Sequence, residues 1–524
     1  MQKHYNYFFV ICFLMISLLL TACGHEQTDI TDSTAANVTA SDNIETNNTT
    51  TSNRADTAVT TTSNTTEDEN VLRIVTDKSE KFTTNDLLNS LIKDFSESHP
   101  EVTVKLEILP EDLEERAIRL ESIRAEIMSG DGPDVFLFPT ANIGNRWKGL
   151  LFPDVAQSMH NGIFADISTF YDVDDELNKD QLHSTIMEAG VLNGERYVLP
   201  LWYSIGAILI DSEKLAQYDI SEEEIAGNAK DLYNVILEKN DPYLAAVTDL
   251  SSIGPKQYFP QLLNYETDQV HVTSESIAEF LKLNYRHETL IYEGQDPDTV
   301  GDLPENSGAS IGAYVSRGYF WRYGSRPIFI DGLSYALRSY VISQAGGYGA
   351  LKAIPIRSAD GSITAEVSYW GAVSAGCDNV ELAYEFLRLL LSEKAQWEIG
   401  RSTSGIAFSG SFYTSGYPVR TQGSVEHLIT SVITMGSKSI ELENPEESEA
   451  RLNALEQVTL TDDDFPLLDV EIDNVRFPIL WEPELTFQRN ASIEFDPFSV
   501  PSDEEIDKWA KELYRELEFH IAEG

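Results

Sequence analysis

The hydrophobic pattern of a folded body begins at Val71-Leu72-Arg73-Ile74-Val75-Thr76, a short run rich in β-formers. From Asn85 to Ser98 the apolar residues Leu87, Leu88, Leu91, Ile92 and Phe95 recur at the three- and four-residue spacing of one helix face. Thr84 or Asn85 is available as N-cap, and Pro100 ends the helix. Val102 to Ile108 alternates as a strand does, and Asp112 to Met128 returns to helical spacing until Ser129-Gly130-Asp131-Gly132-Pro133 breaks it. Asp134-Val135-Phe136-Leu137-Phe138 then reads as a strand apolar on both faces. Strand, helix, strand, helix, strand predicts a parallel sheet covered by helices, with ligands expected at the carboxyl ends of the strands. The turn after Phe138 is therefore a candidate binding edge.

Ahead of this body lies an apolar run, Phe8 to Leu20, of about 13 residues after Lys3. Crossing a bilayer takes about 20 residues, so the run has the layout of an export signal instead. It closes on Leu20-Thr21-Ala22-Cys23, which resembles the bacterial lipoprotein signal in which the cysteine is acylated and becomes the mature N-terminus. An ordinary cleaved signal with an incidental cysteine is the alternative to this lipoprotein reading, and both put the body outside the cytoplasm. Residues 24–69 are almost entirely Thr, Ser, Asn, Asp, Glu and Ala, with no apolar set from which to build a core. Such a leash spans roughly 40 Å on average and on the order of 150 Å when stretched. A lipid-anchored body on a stalk suits the outer face of a cell membrane beneath a wall, a Gram-positive type of envelope.

The roughly 450 residues that follow exceed the roughly 250 to 300 at which one core stops growing, so two lobes are expected. At 42% hydrophobic and 10% aromatic both lobes can be filled, and no later stretch is apolar enough to span a membrane. The three cysteines are Cys12, Cys23 and Cys377, which leaves the body one thiol and no internal disulfide. No His sits near Cys377 in sequence, so a packed thiol is expected there and not a nucleophile. With 86 acidic and 37 basic residues the formal charge is -49, which repels phosphate backbones and argues against nucleic acid as a partner.

Enzyme signatures are thin. Gly308-Ala309-Ser310-Ile311-Gly312 fits the G-x-S-x-G spelling but follows a loop, where a hydrolase elbow needs a strand. Asp462-Asp463-Asp464 lacks the alternation and the glycine of a calcium loop, and no zinc helix, C-x-x-C pair or Walker loop occurs. No cofactor, metal or catalytic group is expected. The Asp174-Asp175 pair keeps an extracellular glycoside hydrolase as the runner-up, since sequence spacing does not report the carboxylate gap that reaction needs. An adhesive envelope protein would predict repeats, and none is found.

Several segments, in order, resemble the extracellular solute-binding proteins of ABC importers, specifically the carbohydrate-binding family 1 that includes maltose-binding protein. They are Ser129-Gly130-Asp131-Gly132-Pro133-Asp134-Val135, then Ala165-Asp166-Ile167-Ser168, Tyr197-Val198-Leu199-Pro200-Leu201 with Ala207-Ile208-Leu209-Ile210-Asp211, Ala353-Ile354-Pro355-Ile356, Trp370-Gly371-Ala372-Val373-Ser374, and the helix Val380 to Ser392 with Ala383-Tyr384-Glu385-Phe386-Leu387. Stretches near 218–260, 290–310 and 436–500 are unmatched. The resemblance implies a two-lobed α/β fold of the periplasmic-binding-protein type II, each lobe a mainly parallel sheet flanked by helices and joined by hinge crossovers. Lobe 1 would comprise 70–204 and about 356–415; lobe 2 would comprise 205–355 and about 416–524. It implies a monomeric receptor that closes on a sugar and presents it to ABC permease subunits.

Sugar sites pair aromatic platforms with groups that make charge-assisted hydrogen bonds. On that basis the candidate ligand residues are Trp202 and Tyr203 at the first crossover, Trp370 near the return, Arg317, Tyr319, Trp321 and Arg322 in the densest mixture of aromatic and guanidinium groups, and Tyr335 and Arg338 in a later loop. Ordinary core packing is the competing role for each aromatic. Asp134 is expected to fix its turn by capping nearby N–H groups, and Trp481 to anchor the C-terminal helix. A peptide, polyamine or other non-sugar solute on the same fold stays open.

Overall fold

The computed structural model describes residues 70–77, 86–140, 149–248, 250, 253–291, 328–332, 351–396, 417–420, 453, 470–477 and 501–523. Its strands are β1 (Val71–Thr76), β2 (Thr103–Ile108), β3 (Val135–Pro139), the paired β4 (Val191–Leu192) and β5 (Glu195–Arg196), β6 (Val198–Asp211), the paired β7 (Leu263–Asn264) and β8 (Gln269–Val270), β9 (Ile328–Gly332), β10 (Leu351–Pro355), β11 (Thr364–Val373), β12 (Tyr417–Pro418) and β13 (Asn474–Arg476). The helices that frame the site are α1 (Asp86–Ser98), α2 (Leu113–Ser129), α3 (Val155–His160), α4 (Ala229–Lys239), α5 (Pro255–Tyr258), α6 (Ser274–Ile291), α7 (Val380–Leu389) and α8 (Asp503–Glu523).

The opening β-α-β-α-β unit forms as its pattern predicts. β1 pairs in parallel with β2, from Val71 opposite Thr103 to Thr76 opposite Ile108, and in parallel with β3 on its other side. Asp112 is the cap of α2, its carboxylate accepting the N–H groups of Glu114 and Glu115 at 3.0 Å. The helix ends at Gly130, whose φ of 82° is left-handed backbone that glycine enters freely. The N-cap candidates Thr84 and Asn85 of α1 lie outside the described residues.

All five residues of β3 are buried, as a strand covered on both faces requires. On one face Leu72, Ile74, Val135 and Leu137 pack with Leu91 and Phe95 of α1 and with Phe386 and Leu387 of α7. On the other, Phe136, Phe138, Trp370 and Phe164 belong to a core that continues into Tyr233 of α4, Phe280 of α6 and Leu513 of α8.

Beyond β3 the sheet order is β10-β6-β11-β3-β1-β2, with β9 and β12 also on β6 and β13 on β11. β11 is antiparallel to both β3 and β6. The 14-residue β6 changes partners along its length. Its first part, from Val198 to Ile205, lies against β11 and β12; its second, from Gly206 to Asp211, lies against β9 and β10. Gly206 marks the changeover. A Cβ there would come within 2.9 Å of Ile356 Cδ1, and the Ile356 N–H donates to the Gly206 carbonyl at 2.9 Å. The chain thus returns alongside itself: β10 runs beside the second part of β6 and β11 beside the first.

Candidate functional site

The carboxyl ends of β1 and β3 bring Thr76, Asp77 and Thr140 to one edge, and all three are buried. A carboxylate at such a place needs a counter-charge, which α2 supplies. Arg116 Nη1 and Nη2 donate to the two oxygens of Asp77 at 2.9 and 2.6 Å, and its Nε donates to the Gly149 carbonyl at 3.0 Å. The side chains are 1% and 3% exposed. This bidentate pair clamps β1 to α2, and the Nε contact ties Gly149 to the same place.

Beside it, Thr76 Oγ1 donates to the Leu137 carbonyl at 2.8 Å and lies 3.2 Å from the Tyr369 hydroxyl on β11. Burial is the main force raising the Tyr369 pKa, so its phenol stays protonated. Across the β3–β11 ladder the Thr140 N–H donates to the Ser368 carbonyl at 3.0 Å. Thr140 and Ser368 are 3% and 8% exposed, and neither hydroxyl has a hydrogen-bond partner among the described residues. Ser368 falls where β11 slips by one residue against β6, a bulge of the kind that re-aims a side chain. Two buried hydroxyls without partners cost about 1 to 3 kcal/mol each, and such groups call for a functional reason. Side by side at the carboxyl edge, they are unused hydrogen-bonding capacity.

Trp202 and Tyr203 lie on the first part of β6, opposite Pro418 and Tyr417. Trp202 is 4% exposed, its ring centroid 4.8 Å from that of Tyr369. Tyr203 is half-buried, with Tyr417 at 5.8 Å and His183 at 5.5 Å between ring centroids. Burial raises the pKa of Tyr203 and of Tyr417. It lowers that of His183 against a smaller opposing backbone hydrogen bond, so the imidazole is neutral at pH 7. Trp370 is 1% exposed and sits among Phe138, Phe152 and Phe164 at centroid distances of 6.0, 5.6 and 5.5 Å. Trp202 and Trp370, two of the candidate platforms, therefore lie in different cores on opposite faces of the sheet.

Arg317, Tyr319, Trp321, Arg322, Tyr335 and Arg338 lie outside the described residues, as do Cys23 and Trp481. Thr140, Ser368, Asp77, Arg116, His183 and Tyr417 were not singled out by the sequence pattern. Only Thr140 carried a signal, its place directly after the apolar strand; the bulge at Ser368 and the approach of His183 and Tyr417 to Tyr203 are products of register.

The Ser129 to Val135 motif proves structural. Asp134 Oδ2 accepts the Arg73 N–H of the neighbouring strand at 2.7 Å, so it ties the turn to β1 where local capping was expected. Arg73 also donates to the carbonyls of Asp131 and Gly132 at 2.7 and 3.2 Å. The distant Trp370 to Cys377 motif seats on the same turn: the Ser374 N–H reaches the Asp134 carbonyl at 2.8 Å, and Gly376 lies so close to Gly130 that a Cβ would stand 3.1 Å from the Gly130 carbonyl oxygen. Burial foremost, then the charge of Asp134, pushes the Cys377 thiol up to about 12.

Asp174, offered for a hydrolytic pair, is buried and accepts the Tyr384 hydroxyl at 2.8 Å with Arg388 at 3.4 Å. Among the described residues no group of three His, Cys, Asp or Glu could hold a metal ion, and no helix is long and apolar enough to cross a membrane.

No family model and no curated protein matches the chain. Among solved structures it is similar to an ABC substrate-binding protein from Listeria monocytogenes in complex with cycloalternan, at 12% identity over 87% of this chain and 100% of that one, with a TM-score of 0.43. It is similar to the cyclic alpha-maltosyl-1,6-maltose binding protein from Arthrobacter globiformis at 13% identity over 86% and 98% of the two chains, with a TM-score of 0.47. A sugar transporter from Rhizobium etli in an open conformation is similar at 12% identity over 85% and 99%, also with a TM-score of 0.47.

Proposed function

We propose that this protein is a solute-binding receptor, tethered outside the cytoplasm through a lipid on Cys23, that closes two lobes on a sugar or oligosaccharide and presents it to an ABC importer. The observation that carries the reading is the change of partners along β6 at Gly206, beside an edge where the hydroxyls of Thr140 and Ser368 have no partner among the described residues. One strand shared by two half-sheets is a crossover about which two bodies can hinge. The ordered motifs of the carbohydrate-binding family support the same reading.

Lobe 1 is then built on β1, β2, β3, β11 and the first part of β6, and takes in Tyr417–Pro418, which pairs with it. Lobe 2 is built on the second part of β6 with β9, β10 and the helices α4 to α6. Tyr203, with Arg317, Tyr319, Trp321, Arg322, Tyr335 and Arg338, remains in the proposed ligand set, joined by Thr140 and Ser368, whereas Trp202 and Trp370 take the core-packing role, one on each face of the sheet. A solute shifts an open-to-closed equilibrium only by binding the closed form better, so contacts from both lobes are required.

A thermal-shift screen with mono- and oligosaccharides tests this, because a ligand at a hundred times its Kd adds about 2.7 kcal/mol. Stabilisation by a sugar that Thr140→Val with Ser368→Ala weakens supports the reading. No response to any saccharide, or turnover of a glycoside, removes it. Cys23→Ser is expected to release the protein from the membrane fraction into the medium.

A further inference from the structure

One ion cluster lies beside the changeover on β6 and plays no part in the edge described above. Glu366, on β11, stands opposite Ser204 of β6, two residues before Gly206. Its carboxylate accepts Arg476 Nη2 from β13 at 2.8 Å and lies 3.5 Å from Lys256 Nζ of α5. Arg476 holds α5 by its backbone as well, donating Nη1 to the Phe259 carbonyl at 2.9 Å and Nη2 to the Lys256 carbonyl. The helix so gripped packs on α6, which is assigned above to lobe 2: Tyr258 lies 4.8 Å and Phe259 5.9 Å from Phe280, centroid to centroid. All three charged side chains are mostly buried. Burial opposes the ionised form of Glu366, yet Lys256 and Arg476 outweigh it and hold the carboxyl below its usual value.

We propose that Glu366, Arg476 and Lys256 form a strut across the crossover that sets the angle between the two half-sheets, and with it how readily the solute site closes; this rests on the receptor reading above. The geometry gives the strut its leverage. A backbone hinge at Gly206 is soft, whereas a charge-assisted contact two residues away, shielded from solvent, resists rotation of α5 against β11. Glu366→Gln keeps the shape and one hydrogen bond to Arg476 but removes the charge that holds Lys256. Glu366 has no hydrogen bond or ion pair with a candidate ligand residue among the described residues, so its role is that of a positioning residue.

The test measures the angle directly, without a ligand. Nitroxides attached through a ketone-bearing amino acid placed at Lys93 on α1 and at Glu238 on α4, both exposed, report the distance between the bodies in the full chain by electron–electron resonance. Wild type should give one narrow distribution, and Glu366→Gln should shift or broaden it beyond the wild-type width while the circular dichroism spectrum is kept. Lys256→Met, which leaves the Glu366–Arg476 contact in place, should do the same to a lesser degree and serves if Glu366→Gln fails to fold. Distributions unchanged in a folded variant overturn the strut. If instead the variants shift the distance but no sugar of the thermal-shift panel shifts it in wild type, the strut stands and the receptor reading falls.

Discussion

Replacing Arg116 by Met leaves its clamp on Asp77 undone and tests how the carboxyl edge is held. Two donors, at 2.9 and 2.6 Å, are lost to a carboxylate that is 3% exposed, and the Gly149 carbonyl loses its donor at 3.0 Å. Breaking a buried pair from one side strands the other charge and costs about 3 to 5 kcal/mol. That is a large part of the roughly 5 to 15 kcal/mol by which a folded domain is stable. Removing both charges is different. In Asp77→Leu with Arg116→Met the desolvation penalty disappears with the attraction, so the double variant should be more stable than either single one. Urea denaturation followed by circular dichroism gives the four free energies of the cycle, and the coupling is their departure from additivity. A single Arg116→Met cost below about 1 kcal/mol, or a double variant that costs the sum of the singles, refutes the claim that this pair is buried and mutually dependent.

At Gly371 a Cβ would stand 2.7 Å from Leu387 Cδ2 and 3.0 Å from Leu137 Cδ2, so Gly371→Ala should lower stability by about 1 to 3 kcal/mol in the same titration, with part of the loss recovered by Leu387→Val. His183 has its pKa lowered by burial, so the unfolded chain binds its proton more tightly. Its share of stability is therefore full above about 6.5, the ordinary histidine value, and is lost as pH falls below it. Denaturation midpoints at pH 7.5 and 5.5 should fall further apart in wild type than in His183→Gln, and equal gaps would contradict the assignment. With its thiol raised to about 12, Cys377 should react slowly with iodoacetamide at pH 7.5 and rapidly once urea unfolds the chain. Equal rates would mean that the thiol is not held as described.

The part of this fold that could be read before any coordinates was the part set by local periodicity. Leu91 and Phe95 share a helix face, the helix that starts at Asp112 is stopped at Gly130, and Val135 to Phe138 is apolar on both faces because both are covered. These are decided within a few residues by side-chain spacing and backbone freedom, so the β-α-β-α-β order followed. The motifs near 130 and 374 were legible as words, but not that one seats on the other, which depends on two glycines meeting without side chains.

What tertiary structure alone decided is where side chains of like kind go. Trp202 and Trp370 look equivalent in sequence, yet the sheet sends them to opposite cores, because β6 and β11 meet through a bulge that no period predicts. The buried place of the Thr140 and Ser368 hydroxyls, and the meeting of Glu366 with Lys256 and Arg476 from 110 residues away on either side, are likewise set by register between strands and by the docking of distant elements. Local spacing determines which element forms; only the pairing of elements far apart in the chain determines which groups are left facing one another, because that contact energy does not exist until the sheet has closed.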